Sequence, residues 1–170
     1  MSTPSPERID PATITLRAAT PADTDTLVRI INEAYAASEG HVFPATTRTE
    51  RTGLERILHE LTVAESAGVV VGCIHMTLSP PDAHYGPLAV DLAQQTGGLG
   101  SVLIAHAEET ARAAGCTRMK IEVVKQAGRI PFYERRGYRV AREHDGQVWN
   151  DGADWGATGP WQMVDMEKEL

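Results

Sequence analysis

The stretch from Leu88 to Ala114 constrains this chain more than any other. An apolar run, Leu88-Ala89-Val90, leads within a few residues to Gln95-Thr96-Gly97-Gly98-Leu99-Gly100. Leu99, Val102, Leu103, His106, Ala107, Thr110, Ala111 and Ala114 then recur at helical spacing until Gly115 stops the pattern. The spacing predicts a strand, a glycine loop and an amphipathic helix. Glycines let the backbone approach a ligand closely, and a helix N-terminus offers unpaired N–H groups with a partial positive charge. Together they suit an anion, most often a phosphate. No Gly-Lys-Ser/Thr follows, so this is not a P-loop, and the glycines do not form G-x-G-x-x-G. Taken alone, the unit reads equally as a tight strand-to-helix turn.

The rest of the pattern gives the fold class. Thr13 to Arg17 alternates as a first strand. Thr20-Pro21-Ala22-Asp23 starts a helix whose apolar stripe is Leu27, Ile30, Ile31, Ala34 and Tyr35. Leu54, Ile57, Leu58 and Leu61 mark a second helix. Strands are expected at 61–66, 68–78, 84–90, 119–124, 138–142 and 161–167, with a short helix over 131–136. Strands and helices alternate in the middle and strands close the chain, which makes an α/β fold with an antiparallel end to its sheet.

Composition excludes several classes. A chain of 170 residues suits one domain, expected over 13–170. Residues 1–12 hold Pro4, Pro6 and Pro11 with charges and no apolar core, so they read as a mobile leader, not a signal peptide. The net charge of −7 argues against a nucleic-acid partner and leans mildly towards cationic small molecules. No run approaches the ~18 apolar residues of a membrane span. Two cysteines, Cys73 and Cys116, are too few for a disulfide framework and fit a reducing, cytoplasmic setting. Cys73 and His75 share a strand face but supply only two ligands, so no metal site is expected.

Leu88-Ala89-Val90 followed by Gln95-x-x-Gly98-x-Gly100 and the helix resembles motif A of the GNAT superfamily of N-acetyltransferases. Phe132-Tyr133-Glu134-Arg135-Arg136-Gly137-Tyr138 resembles that family's motif B. The opening Leu16-Arg17-Ala18-Ala19-Thr20-Pro21-Ala22-Asp23 and the closing Met163-Val164-Asp165-Met166-Glu167-Lys168 also look like the family's ends. The resemblance implies a mixed, mostly antiparallel sheet of six to seven strands, flanked by about four helices. It also implies that acetyl-CoA binds where two parallel strands splay, here those ending near Val90 and Val124. The backbone of Leu88, Ala89 and Val90 would hold the pantetheine arm as an added strand does. The amides of Gln95, Thr96, Gly97, Gly98, Leu99, Gly100 and Ser101 would hold the pyrophosphate. Where many members carry an asparagine for the pantetheine, this chain has Gln126, and Arg129 stands where it can meet a phosphate. Tyr133 matches the tyrosine that protonates the departing thiolate, which a phenol can do in concert with C–S cleavage.

An acceptor amine must be neutral to react, so a base or a water relay must take its proton. Glu122 is the first candidate, because some family members use a glutamate in a similar strand. Its alternative is a plain ion-paired surface carboxylate. By the same resemblance, Glu33, Glu39 and His41 fall where the family receives its acceptor, and His84 and Tyr85 lie towards that side. Residues 145–160 form a long connection containing Trp149 and Trp155, with Trp161 after it. That connection reads equally as an acceptor-lining loop through Trp149, or as a packed loop or homodimer contact. The expected acceptor is a small-molecule amine such as an amino acid, a polyamine or an amine antibiotic. The alternatives are a protein N-terminus or lysine, or a non-catalytic acyl-CoA sensor.

Overall fold

The structure is a computed structural model. It describes residues 8–170 except Thr46, Asn150, Asp151 and Ala153, with Trp149 described by its backbone alone. Seven strands form one mixed sheet: β1 (Thr15–Ala18), β2 (Leu61–Ser66), β3 (Val69–Ser79), β4 (Asp82–Val90), β5 (Arg118–Val124), β6 (Arg139–Asp145) and β7 (Gln162–Glu169). Their order is β1-β2-β3-β4-β5-β7-β6. The pair β4–β5 is parallel and the neighbouring pairs are antiparallel. The helices are α1 (Thr24–Glu39), α2 (Arg51–Ile57), α3 (Leu99–Ala113), α4 (Ile130–Glu134) and a single turn, α5 (Gly146–Trp149). No helix among the described residues is long and apolar enough to cross a membrane.

The predicted stripes decide which face each helix covers. Leu27, Ile30, Ile31 and Ala34 recur at i, i+3, i+4 and i+7, and α1 buries them against Leu61, Val63, Cys73 and Ala89. On the other sheet face, α3 buries Leu99, Leu103, Ile104 and Ala107 against Met119, Ile121, Val164 and Met166. A third cluster holds Val42, Phe43, Val124, Trp161 and Met163.

One interruption of the sheet creates the site. Parallel pairing of β4 with β5 is confined to Asp82–Arg118, Ala83–Met119 and His84–Lys120. Beyond these pairs the two strands diverge. On its other edge β4 stays paired with β3 up to Val90, but the register shifts between Ile74 and Met76. One residue of β3 there, His75, faces two of β4, so Gly86-Pro87 forms a bulge. Pro87 has no N–H to give a ladder, and a bulge bends its strand, so the split falls where the sequence weakens the strand.

Residues 9–12 differ from a free leader. The Ile9 N–H donates to Gln94 Oε1 at 3.0 Å, and Ile9 packs on the core beneath α3. Pro11 lies against Gly98, with its Cγ 3.3 Å from where a Cβ on that glycine would sit. Residues 1–7 of the expected leader lie outside the described residues.

Candidate active site

The divergence of β4 and β5 opens a cleft of about 630 Å3. One wall is Leu88, Ala89 and Val90, and the other is Glu122, Val123 and Val124. Among the described residues the backbone edge of Leu88–Val90 that faces the cleft has no strand partner, while its other edge is used by β3. Such an edge presents alternating N–H and C=O groups to anything extended that enters.

The glycine loop closes one end. Gly98 has φ +91°, a left-handed value that favours glycine, and it caps α3. Thr96, Gly98, Leu99, Gly100 and Ser101 line the cleft with Gln95, whose Nε2 donates to the Val90 carbonyl at 3.2 Å. Gly97 is not part of the lining; a side chain there would meet the Gln94 carbonyl. Arg129, Arg135 and Arg136 add cationic groups to this wall. Arg136 is fixed: it donates to Ser101 Oγ at 2.5 Å and to the Phe132 carbonyl at 2.7 Å, and it stacks 3.6 Å from the Phe132 ring centre.

Tyr133 on α4 lines the cleft beside Phe132, whose ring meets it edge-on at 5.0 Å. Burial pushes the Tyr133 phenol well above its ordinary pKa, helped by Tyr35, so it stays protonated at neutral pH. Glu122 also lines the cleft and is exposed. Its Oε2 lies 3.8 Å from His84 Nε2, and burial lowers the His84 pKa against the pull of Glu122. A neutral imidazole therefore stands beside an ionisable carboxylate.

Several expected placements are corrected. Tyr85 does not reach the acceptor side, because adjacent strand residues point to opposite faces. His84 faces Glu122, and Tyr85 is buried under α3, with its ring 6.1 Å from that of Tyr138. Glu33 does not line the cleft; it is held by Arg29 at 2.8 Å, which also pairs with Asp91. Gln126 is committed elsewhere, its Oε1 accepting from the Gln162 N–H at 3.1 Å and its carbonyl meeting His41 Nε2 at 2.9 Å. The Trp149 side chain lies outside the described residues. Trp155 and Trp161 instead stack on each other at 5.6 Å, and both meet the Phe43 ring edge-on.

Residues that sequence reasoning passed over complete the cleft. Tyr35 and Ser38 reach it from the last turns of α1, together with the anticipated Glu39. They lie one helical turn apart or less, so they share a face. Tyr35 had a signal, but as the end of an apolar stripe it reads as core. A backbone hydrogen bond from Leu88 ties it to β4. Burial raises the Glu39 pKa, and Arg48 and His41 oppose that rise. Arg48 follows α1 in a loop without period and gave no signal. Among the described residues no cluster of three or more His, Cys, Asp or Glu side chains is placed to hold a metal ion.

Comparison with known proteins agrees with this geometry. The sequence model of the acetyltransferase (GNAT) family matches residues 25–138. The IAA acetyltransferase of Azospirillum brasilense is 30% identical over 116 residues, covering 66% of this chain and 71% of that protein. The protein YdhI of Bacillus subtilis (strain 168) is 29% identical over 85 residues, 49% of this chain and 52% of YdhI, so the chain spans about half of that relative's length. A crystal structure of N-acetylglutamate synthase from Neisseria gonorrhoeae, complexed with coenzyme A and N-acetyl-glutamate, superposes with a TM-score of 0.71 at 21% identity. It covers 92% of this chain and 35% of the synthase, and shows likeness of fold. Because the family's sequence model spans both the glycine loop and the Tyr133 helix that face each other across the split sheet, this chain belongs to the acetyltransferase (GNAT) family.

Proposed function

We propose that the chain is an acetyl-CoA-dependent N-acetyltransferase that moves the acetyl group directly to a primary amine of a small molecule. The observation that carries this reading is the edge of Leu88–Val90 that faces the cleft, running from the glycine loop towards Tyr133. The residues present fit acetyl-CoA as the donor substrate. The edge of Leu88–Val90 without a strand partner suits the amides of a pantetheine arm, and the amides at the start of α3, with Arg129 and Arg136 nearby, suit its phosphates. Acetyl-CoA supplies a thioester carbonyl already activated for acyl transfer.

This chain's residues do the rest. The N–H groups near Val90 orient and polarise that carbonyl. Tyr133, kept protonated by its burial, gives its proton to the leaving sulfur. Glu122, with neutral His84 beside it, draws the proton from the acceptor amine. No cysteine serves as an acetyl carrier. Cys73 and Cys116 are buried away from the cleft lining, and burial pushes the Cys73 thiol up to about 12, far from the reactive thiolate.

The test pairs binding with turnover. Acetyl-CoA at a hundredfold excess over its Kd should stabilise the protein by about 2.7 kcal/mol in thermal unfolding. Tyr133→Phe should keep that shift and lose about 10²-fold in kcat, measured as thiol release. Full activity in Tyr133→Phe removes the acid assigned here. Absence of any shift with coenzyme A or acetyl-CoA removes the donor.

A further inference from the structure

Arg48 lies between α1 and α2 and lines the cleft. Its guanidinium stands 4.6 Å from the Tyr35 ring centre and 5.7 Å from that of Trp155. Stacking on rings uses the faces of a guanidinium and leaves its in-plane N–H donors available. Among the described residues those donors make no hydrogen bond and no ion pair. Other arginines behave differently: Arg17, Arg29, Arg118 and Arg139 each sit on a carboxylate at 2.7–2.9 Å. Glu39, in the same cleft wall, acts on Arg48 through space without closing an ion pair.

The position is close to the chemistry. Tyr35, beneath Arg48, is tied to the Leu88 backbone and lies near enough to Tyr133 to raise its pKa. A planar cation with free donors is therefore held in the wall of the same cleft that the carboxylates of Glu39 and Glu122 line. That combination of charges matches a molecule that carries an ammonium and a carboxylate on one carbon. A polyamine would place a second cation against Arg48.

We propose that Arg48 binds the carboxylate of the acceptor, so that the substrate is an α-amino acid rather than a polyamine or an amine antibiotic. The proposal rests on the N-acetyltransferase reading and narrows its acceptor. In the reaction the amine lone pair forms a C–N bond to the acetyl carbon while the C–S bond breaks. The amine proton passes to the base, the thiolate takes a proton, and the products are an N-acetylamino acid and free coenzyme A.

The experiment compares the L-amino acids, their carboxamides and spermidine, using wild type, Arg48→Ala and Arg48→Lys. Thiol release gives kcat/KM, and thermal unfolding of the coenzyme A-loaded protein gives acceptor binding without turnover. Wild type should prefer the best free acid over its carboxamide by at least tenfold. In Arg48→Ala that preference should fall to about one, because the free acids lose at least tenfold more than their carboxamides, with the acetyl-CoA shift retained. Arg48→Lys should recover part of the preference, since it keeps the charge and loses the fork. Equal or better turnover of carboxamides or spermidine by wild type overturns the proposal and leaves the N-acetyltransferase reading intact. So does an equal loss on acids and carboxamides in Arg48→Ala. Arg48-dependent stabilisation by free acids with no thiol release upholds the carboxylate site and overturns the enzymatic reading. Neither binding nor turnover of any free acid overturns the carboxylate site.

Discussion

Asp23 shows how much one side chain can settle at the residue scale. Its carboxylate accepts from Arg17 Nη1 and Nη2 at 2.8 and 2.9 Å, and from the Thr20 N–H and hydroxyl at 2.8 and 2.9 Å. It is 8% exposed, and Arg17 holds its pKa far below the ordinary carboxylate range. This one group joins β1 to the start of α1 and caps the turn between them. A carboxyl depressed in the folded state stabilises fully above its unfolded pKa, and that contribution fades as pH falls through the folded value. Asp23→Asn should therefore cost about 2 kcal/mol at pH 7, discounted for the one-third exposure of Arg17. The gap to wild type should narrow below about pH 4, and urea unfolding at pH 7 and pH 3 checks it. Thr20 and Asp23 were legible in the sequence as a helix start. The arginine that gives Asp23 its strength was not, because only the folded register of β1 brings Arg17 onto it.

At the scale of elements, two glycines predict opposite outcomes. Gly98 caps α3 at φ +91°, and a Cβ there would come 3.3 Å from Pro11. Gly98→Ala should lower stability by about 1–2 kcal/mol and weaken coenzyme A binding, because it strains the loop and lifts residues 9–12 from it. Gly53 sits inside α2 with nothing within 4 Å of an added Cβ. Gly53→Ala should raise stability by about 0.5–1 kcal/mol with binding unchanged. Thermal unfolding with and without coenzyme A separates the two. The elements themselves were readable where a period repeats: Leu99 to Ala111 and Leu27 to Ala34 declare their buried faces. Placement within a strand was harder. The Gly86-Pro87 bulge lies inside a stretch that reads as one continuous strand, and His84 and Tyr85 are neighbours in sequence that occupy opposite faces. Tyr35 was hidden because its spacing continues an apolar stripe, and Arg48 because a loop has no spacing to read.

For the molecule as a whole, charge is distributed against its average. The net charge of −7 should repel a polyanionic coenzyme, yet Arg129, Arg135 and Arg136 line the cleft. Near charges outweigh distant ones once the Debye length is about 8–10 Å. The Kd for coenzyme A should therefore weaken several-fold between 50 and 300 mM salt, measured by calorimetry. Tightening with salt would mean that the acidic surface dominates instead. The three residue pairs that join β4 to β5 have a mechanical consequence too. They divide the sheet into a four-strand tape and a three-strand tape joined at one end, so its compliance gathers along a single crease. An extended molecule lying on the cleft-facing edge of Leu88–Val90 prolongs that crease's stitching. The stiffness of the folded chain then depends on how often the crease is filled, and cellular donor supply becomes one of the terms that set the protein's rigidity.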